Sequence, residues 1–206
     1  MKLVMMGVQG CGKGTQAELI SKKFKILHIS TGDLLRDEVA SKSELGKEAE
    51  GFMNKGLLVP DKVLLGMLKG RLSELDGFIL DGYPRNREQA EALSGITELD
   101  GAIEIGVSDR EAIKRISGRR SCKCGAVYHV FYNPPGRPNI CDRCGKPLFQ
   151  RDDDQEDAVA KRVALYHEKT EPVLKFYEEK GILHKIDGEQ AIEEVFGAIE
   201  KALPEE

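Results

Sequence analysis

The chain has no excess of positive charge, no long apolar run and no internal repeat. Its 31 Lys and Arg against 35 Asp and Glu give a formal charge of -4. The surface as a whole therefore does not advertise nucleic acid or an anionic membrane, and any anionic ligand needs a local basic cluster. No stretch approaches the ~18 consecutive apolar residues of a membrane span. The opening MKLVMMGVQG is too short an apolar run for the core of a signal peptide. These absences lead to the expectation of a cytoplasmic protein with neither nucleic acid nor membrane among its partners. Solenoid periods and low-complexity tracts are missing too, which sets repeat architectures aside.

What is there fits a folded α/β chain. The hydrophobic fraction is 40% and the charged fraction 32%, ordinary for a globular protein. A length of 206 residues accommodates one sizeable core with an insertion, but not two domains of typical size. Short apolar runs at 2–6, 26–29, 78–80, 102–107 and 182–186 read as buried strands. Between them apolar residues recur at helical spacing, as in Val63, Leu64, Met67, Leu68 and Leu72, or Val159, Val163, Tyr166 and Val173. Strands alternating with helices predict a parallel sheet covered on both faces. The pattern breaks at about 121–152, where Gly, Pro, Cys and aromatics take over and Asn133-Pro134-Pro135-Gly136 signals a turn. That segment is predicted to be an inserted subdomain.

The first strand runs into Gly7-Val-Gln-Gly-Cys-Gly-Lys-Gly-Thr15 and then into a helical pattern. Glycines at Gly10, Gly12 and Gly14 let the backbone bring N–H groups around phosphate oxygens, and the positive end of the next helix adds to the field. Lys13 is then placed for the β/γ-phosphate bridge and the Thr15 hydroxyl for Mg²⁺. Cys11 reads as a small filler, because phosphoryl transfer here needs no covalent intermediate.

Four of the five cysteines form two close pairs, Cys122-Lys-Cys124 and Cys141-Asp-Arg-Cys144, separated by the sixteen residues from Gly125 to Ile140. Four thiolates so spaced suit a structural, tetrahedral Zn²⁺, although the first pair has one intervening residue where a zinc ribbon has two. A redox-active thiol cluster is the alternative. The basic residues Arg119, Arg120, Lys123, Arg137 and Arg143 around them leave a zinc-ribbon nucleic-acid binder as a rival of another class.

The general phosphate-loop pattern has Ser or Thr directly after the lysine, whereas Gly14 intervenes here. Gly-Lys-Gly-Thr is what nucleoside monophosphate kinases carry. With His28-Ile-Ser-Thr-Gly-Asp-Leu-Leu-Arg36, Lys55-Gly-Leu-Leu-Val-Pro-Asp61, Gly77-Phe-Ile-Leu-Asp-Gly-Tyr-Pro-Arg85 and the run from Gln150 to Arg162, the chain resembles the adenylate kinases from Lys2 through Gln190. The cysteine segment looks like the lid of their long, zinc-containing type with one residue deleted. Gln9 stands where many of them have proline.

The resemblance implies a P-loop nucleoside kinase fold: a five-stranded parallel sheet flanked by helices, with an inserted zinc-ribbon-like lid. Its parts would be a core at 1–29, 60–120 and 153–206, an AMP-binding helical subdomain at 30–59 and the lid at 121–152. It implies ATP, AMP and ADP as ligands, Mg²⁺ with ATP, a structural Zn²⁺ on Cys122, Cys124, Cys141 and Cys144, and a monomer. ATP would lie on Gly10, Cys11, Gly12, Lys13, Gly14 and Thr15, with Arg115, Arg119, Val127, Tyr128 and Gln190. AMP would lie against Thr31, Arg36, Leu57, Leu58, Val59, Gly82, Arg85 and Gln89, with Arg151 and Arg162. Lys13, Arg85, Arg119, Arg151 and Arg162 would act on the transferring phosphates, and Asp81 on a Mg²⁺-bound water. Asp153 and Asp154 would pair with these arginines or with such a water. UMP and CMP kinases tend to have alanine where Thr31 stands, which tilts the acceptor toward AMP.

Two physical expectations accompany this. Ser30 or Thr31 caps a helix with Asp33 in its first turn, and Arg115 and Arg119, four apart, share one helix face.

Overall fold

The computed structural model describes residues 1–55, 57, 59–72 and 74–203. Five parallel strands, β1 (Lys2–Met6), β2 (Leu27–Ser30), β3 (Phe78–Asp81), β4 (Gly101–Gly106) and β7 (Leu183–Asp187), form one sheet in the order β2-β3-β1-β4-β7. All five fall on the predicted apolar runs to within one residue at each end. Residues Leu3, Val4, Met5 and Met6 are all buried, because helices cover both faces and leave β1 no polar side. Leu3 and Met5 pack with Ala17 and Ile20 of α1 (Lys13–Phe24) and with Val195 and Ile199 of α9 (Ile192–Ala202). Val4 and Met6 face the other way, onto Leu64 and Leu68 of α4 (Asp61–Leu72) and Leu93 of α5 (Arg87–Ser94). Each such side chain contributes roughly 1.5–3 kcal/mol by burial.

This topology places the site. From β1 the chain crosses to β2, beyond β3, while β4 lies on the opposite side, so a crevice opens at the C-terminal end of β1. The registers Met5↔Asp81 and Ser30↔Asp81 bring the ends of β1, β2 and β3 level at that crevice. Ser30 provides the cap of α2 (Thr31–Ser41), its Oγ accepting the Asp33 N–H at 3.2 Å. Helix α3 (Glu44–Met53) follows with Ser43 as its cap.

The expectation for Arg115 and Arg119 is corrected. Helix α6 (Asp109–Gly118) stops before Arg119, which is extended and opens β5 (Arg119–Ser121). The cause lies at Gly118, whose carbonyl accepts the Val130 N–H at 3.0 Å and whose missing Cβ would meet the His129 ring at 2.2 Å. The helix end is thus drawn into an antiparallel pair, β5 with β6 (Val127–His129), that short, turn-rich segments conceal in the sequence.

Helices α7 (Glu156–Leu165) and α8 (Glu171–Glu179) are joined through a π-helical turn, Tyr166–Thr170. There His167 lies 2.9 Å from Asp109 of α6 and 2.8 Å from Glu171. The Glu171 and then the Asp109 hydrogen bond raise the imidazole pKa above its ordinary value. A raised folded-state pKa means stability that is complete below the ordinary imidazole value of about 6.5 and lost as pH climbs through the folded value. The side chain is 44% exposed, so the contribution stays below about 1 kcal/mol. His167→Gln is expected to lower Tm by a few degrees at about pH 5.5 and by nothing measurable at about pH 8.5. Thermal melts at the two pH values check this, and equal deficits would contradict it.

Candidate active site

The turn after β1 wraps into a concave loop. Gly7, Gly10 and Gly12 have φ of 135°, 88° and 104°, values that side chains resist, and a Cβ on Gly10 would sit 2.6 Å from the Ala112 carbonyl oxygen of α6. The Lys13 ammonium donates to the carbonyls of Gly7 at 2.7 Å and Val8 at 3.0 Å and lies 3.6 Å from the Cys11 sulfur. Cys11 is buried under the loop, as a filler would be. Gly12 caps α1 without a side-chain bond, so the first N–H groups of that helix remain directed at the loop. Thr15 is exposed in its first turn. Arg115 braces the loop from α6, donating to the Cys11 carbonyl at 3.3 Å and to Glu111 at 2.8 Å. Gln190, beyond the end of β7, donates to Asp187 at 3.1 Å.

Asp81 ends β3 beside this loop, its Oδ2 close enough that a Cβ on Gly14 would stand 3.6 Å away. Burial alone would raise the Asp81 carboxyl, but the nearby His28 imidazole, Lys13 and Arg85 outweigh it and hold the pKa below its ordinary value. Thr31 is buried and donates to the Asp81 carbonyl at 3.1 Å. Gly82 turns the chain at φ 84°, where a Cβ would meet the Thr31 hydroxyl at 2.6 Å. The Arg85 Nε then donates back to the Gly82 carbonyl at 2.7 Å, which fixes the guanidinium over the turn.

A cleft of about 700 Å³, including its open mouth, lies next to this turn. Thr31, Arg36, Leu57, Val59, Arg85, Gln89 and Arg162, seven of the residues assigned to the monophosphate, line it, and Gly82 and Arg151 do not. Leu58 lies outside the described residues. Gln9 also lines the cleft, with its Oε1 buried and without a partner, so the phosphate loop and the cleft are contiguous.

The charges here are lopsided. The Arg85 pKa is lowered to about 10, first by burial and then by repulsion from Arg162. That of Arg151 is likewise lowered to about 10, by burial and then by Arg36 and Arg119. Arg162 is lowered by burial, against the pull of Asp153. Guanidinium groups remain protonated under any ordinary condition, so these shifts describe half-buried cations that crowd one another, a setting that favours an anion. Arg119 is the exception: its fork grips the fully buried Asp154 carboxylate, and this outweighs desolvation and raises its pKa. Asp153 holds Arg162 at 3.0 Å.

In the segment after β5, both cysteine pairs are closed by a glycine with positive φ. The Gly125 N–H bonds to the Cys122 carbonyl at 3.0 Å and the Gly145 N–H to the Cys141 carbonyl at 2.8 Å. The shorter pair simply takes the tighter turn. All four sulfurs lie within 4.8 Å of one another. A tetrahedron of thiolates about 2.3 Å from Zn²⁺ has sulfurs about 3.8 Å apart, so the cluster fits a structural zinc. Although burial opposes it, the Tyr128 hydroxyl and the N–H groups of Cys144 and Arg143 hold the Cys141 thiol below its ordinary pKa. Against the Lys146 N–H, Cys122 and burial push Cys144 up, as expected of crowded thiols that cannot all ionise without a cation among them. The Tyr128 hydroxyl is thereby directed to the thiols, 3.6 Å from Cys141, while Val127 beside it is exposed. Arg151 donates to Ser121 at 2.8 Å, at the base of this segment.

Several groups in the site carry no clear sequence signal. Asp61 reads only as an acid at a helix start, yet it bonds Asn86 and Gln89. His28 reads as a strand residue, yet it faces Asp81 at 3.9 Å. Gln9, in the loop, shows in sequence only as a departure from proline.

Comparison with known proteins agrees with this geometry. A family model described as adenylate kinase matches residues 5–182. An adenylate kinase of Listeria monocytogenes serotype 4b is 51% identical over 212 residues, which cover 98% of this chain and 99% of the relative. Adenylate kinases of Methanococcoides burtonii and Archaeoglobus fulgidus are each 49% identical, with 98% of both chains covered. The chain belongs to the adenylate kinase family of phosphotransferases.

Proposed function

We propose that the chain transfers the terminal phosphoryl group of ATP reversibly to AMP, giving two ADP. The observation that carries this reading is the set of crowded, half-buried guanidinium groups of Arg85, Arg151 and Arg162 beside a cleft continuous with the phosphate loop. Two polyphosphate tails meeting there would supply the missing anions.

In this reading the N–H groups of residues 10–15 and the Lys13 ammonium hold the β- and γ-phosphates, and Arg115 and Gln190 flank the adenosine of ATP with Val127 and Tyr128. Thr31, Arg36, Gly82, Leu57, Leu58, Val59 and Gln89 hold AMP. The acceptor oxygen is already an anion, so no general base is required. Arg85, Arg119, Arg151 and Arg162 place it in line and stabilise the dispersed charge of the transition state. Mg²⁺ accompanying ATP would neutralise further charge, and Asp81 would be the carboxylate that holds it through water. The three-part division at 30–59 and 121–152 allows the lid to close and exclude water, so that ATP is transferred and not hydrolysed. A structural Zn²⁺ on the four cysteines would hold that lid together. The chain is read as a monomer; among the described residues no helix is long and apolar enough to cross a membrane.

A coupled assay of MgATP with AMP, UMP, CMP and GMP tests the acceptor. AMP is expected to be preferred by about 10²-fold or more in kcat/KM. Equal or better transfer to another nucleotide would keep the reaction class and overturn the acceptor.

A further inference from the structure

We propose that Asp61, which does not itself line the cleft, determines acceptor specificity by locking the Gln89 carboxamide in the one orientation that reads a 6-aminopurine. The proposal rests on the acceptor reading above. Asp61 is the first residue of α4, and its carboxylate accepts from Gln89 Nε2 and, at 2.9 Å, from Asn86 Nδ2. The Asn86 amide is itself fixed, because its Oδ1 accepts the Gln89 backbone N–H at 2.8 Å as the cap of α5. At the other end of the Gln89 amide, Oε1 accepts the Arg85 backbone N–H at 2.6 Å.

These partners decide the orientation by chemistry alone. An ionised carboxylate only accepts and a backbone N–H only donates, so Gln89 must turn its NH₂ to Asp61 and its oxygen to Arg85. The reverse orientation would set oxygen against carboxylate and NH₂ against N–H, in a side chain that is 1% exposed. After these bonds the amide retains one lone pair on Oε1 and one N–H on Nε2, in fixed order, and Gln89 lines the cleft. Adenine offers its 6-amino donor next to a ring-nitrogen acceptor, the complement of that order. Hypoxanthine offers a 6-oxo acceptor next to the N1–H donor, the reverse. Without Asp61 only the Arg85 N–H still opposes the reverse orientation, so the amide turns over more readily and discriminates less between the two bases.

The test is kcat/KM for AMP and for IMP at saturating MgATP, in the wild type, Asp61→Asn and Asp61→Ala. The AMP:IMP ratio is expected to fall by about tenfold or more in both variants. The change should appear as a higher KM for AMP and a lower one for IMP, with KM for ATP within about twofold and Tm within a few degrees. A ratio unchanged within twofold, with both acceptors losing equally, would overturn the proposal and leave Asp61 a structural residue. A wild type that does not use AMP would overturn the acceptor reading instead. Should neither variant fold, the wild-type Gln89 side-chain amide is read by NMR: slow exchange of its protons with solvent is expected without nucleotide, and fast exchange would overturn the lock.

Discussion

Replacing Arg119 with alanine is expected to lower kcat by roughly 10³-fold while KM for AMP moves less than about threefold. Arg119 does not line the cleft, yet it is electrostatically coupled to Arg151 and to Arg162, which does line it. An interaction made mainly as charge disperses in the transition state shows in kcat and not in acceptor binding. The substitution also strands Asp154, which is fully buried and would keep only Arg162, at 4.0 Å. Breaking a buried pair costs about 3–5 kcal/mol, so a fall in Tm accompanies the loss. Arg119→Lys separates the two effects. It keeps a cation beside Asp154 and most of the stability, but it lacks the planar fork and is expected to remain about 10²-fold slow. Comparable losses in kcat and in AMP affinity would remove Arg119 from the transition state.

Loss of the zinc proposed for the four cysteines is expected to be the second large effect. Among residues 121–150, all of them described, only Ser121, Cys122, His129 and Cys141 are buried, and Phe131, Tyr132 and Phe149 are exposed. There is no apolar core to hold the segment, so the four-thiolate cluster must supply the folding free energy; structural zinc in isolated modules contributes about 10–16 kcal/mol. Cys141→Ser, or complete chelation, is expected to abolish amide-exchange protection in the pairing of β5 with β6 while leaving β1, β3 and β4 protected. Activity should fall about 10²-fold or more, because Arg151 is anchored to Ser121 and Arg119 opens β5. A lid that keeps its protection after every zinc is removed would contradict this account.

The sheet was legible in the sequence because burial on both faces makes β1 and β3 continuous apolar runs, while the edge strands β2 and β7, with exposed residues such as Leu27 and Lys185, still kept enough apolar residues to be read. The phosphate loop was legible because its glycines answer a backbone need that few other residues meet. The lid was legible only as an interruption with cysteines: its strands are three residues long and their pairing depends on Gly118 and His129, which meet in space and not in sequence. That is also why Arg119 was placed on a helix. The lock on Gln89 was invisible for the same reason, since Asp61 and Gln89 stand on different helices and meet only through the packing of α4 on α5.

The most direct measurement is ³¹P NMR of MgATP and AMP with catalytic amounts of the protein. Two ADP per ATP consumed, approached from either direction and without inorganic phosphate, is the expected result. Inorganic phosphate released with AMP untouched, or no reaction at all, would contradict the assignment of the arginine cleft to phosphoryl transfer between two nucleotides.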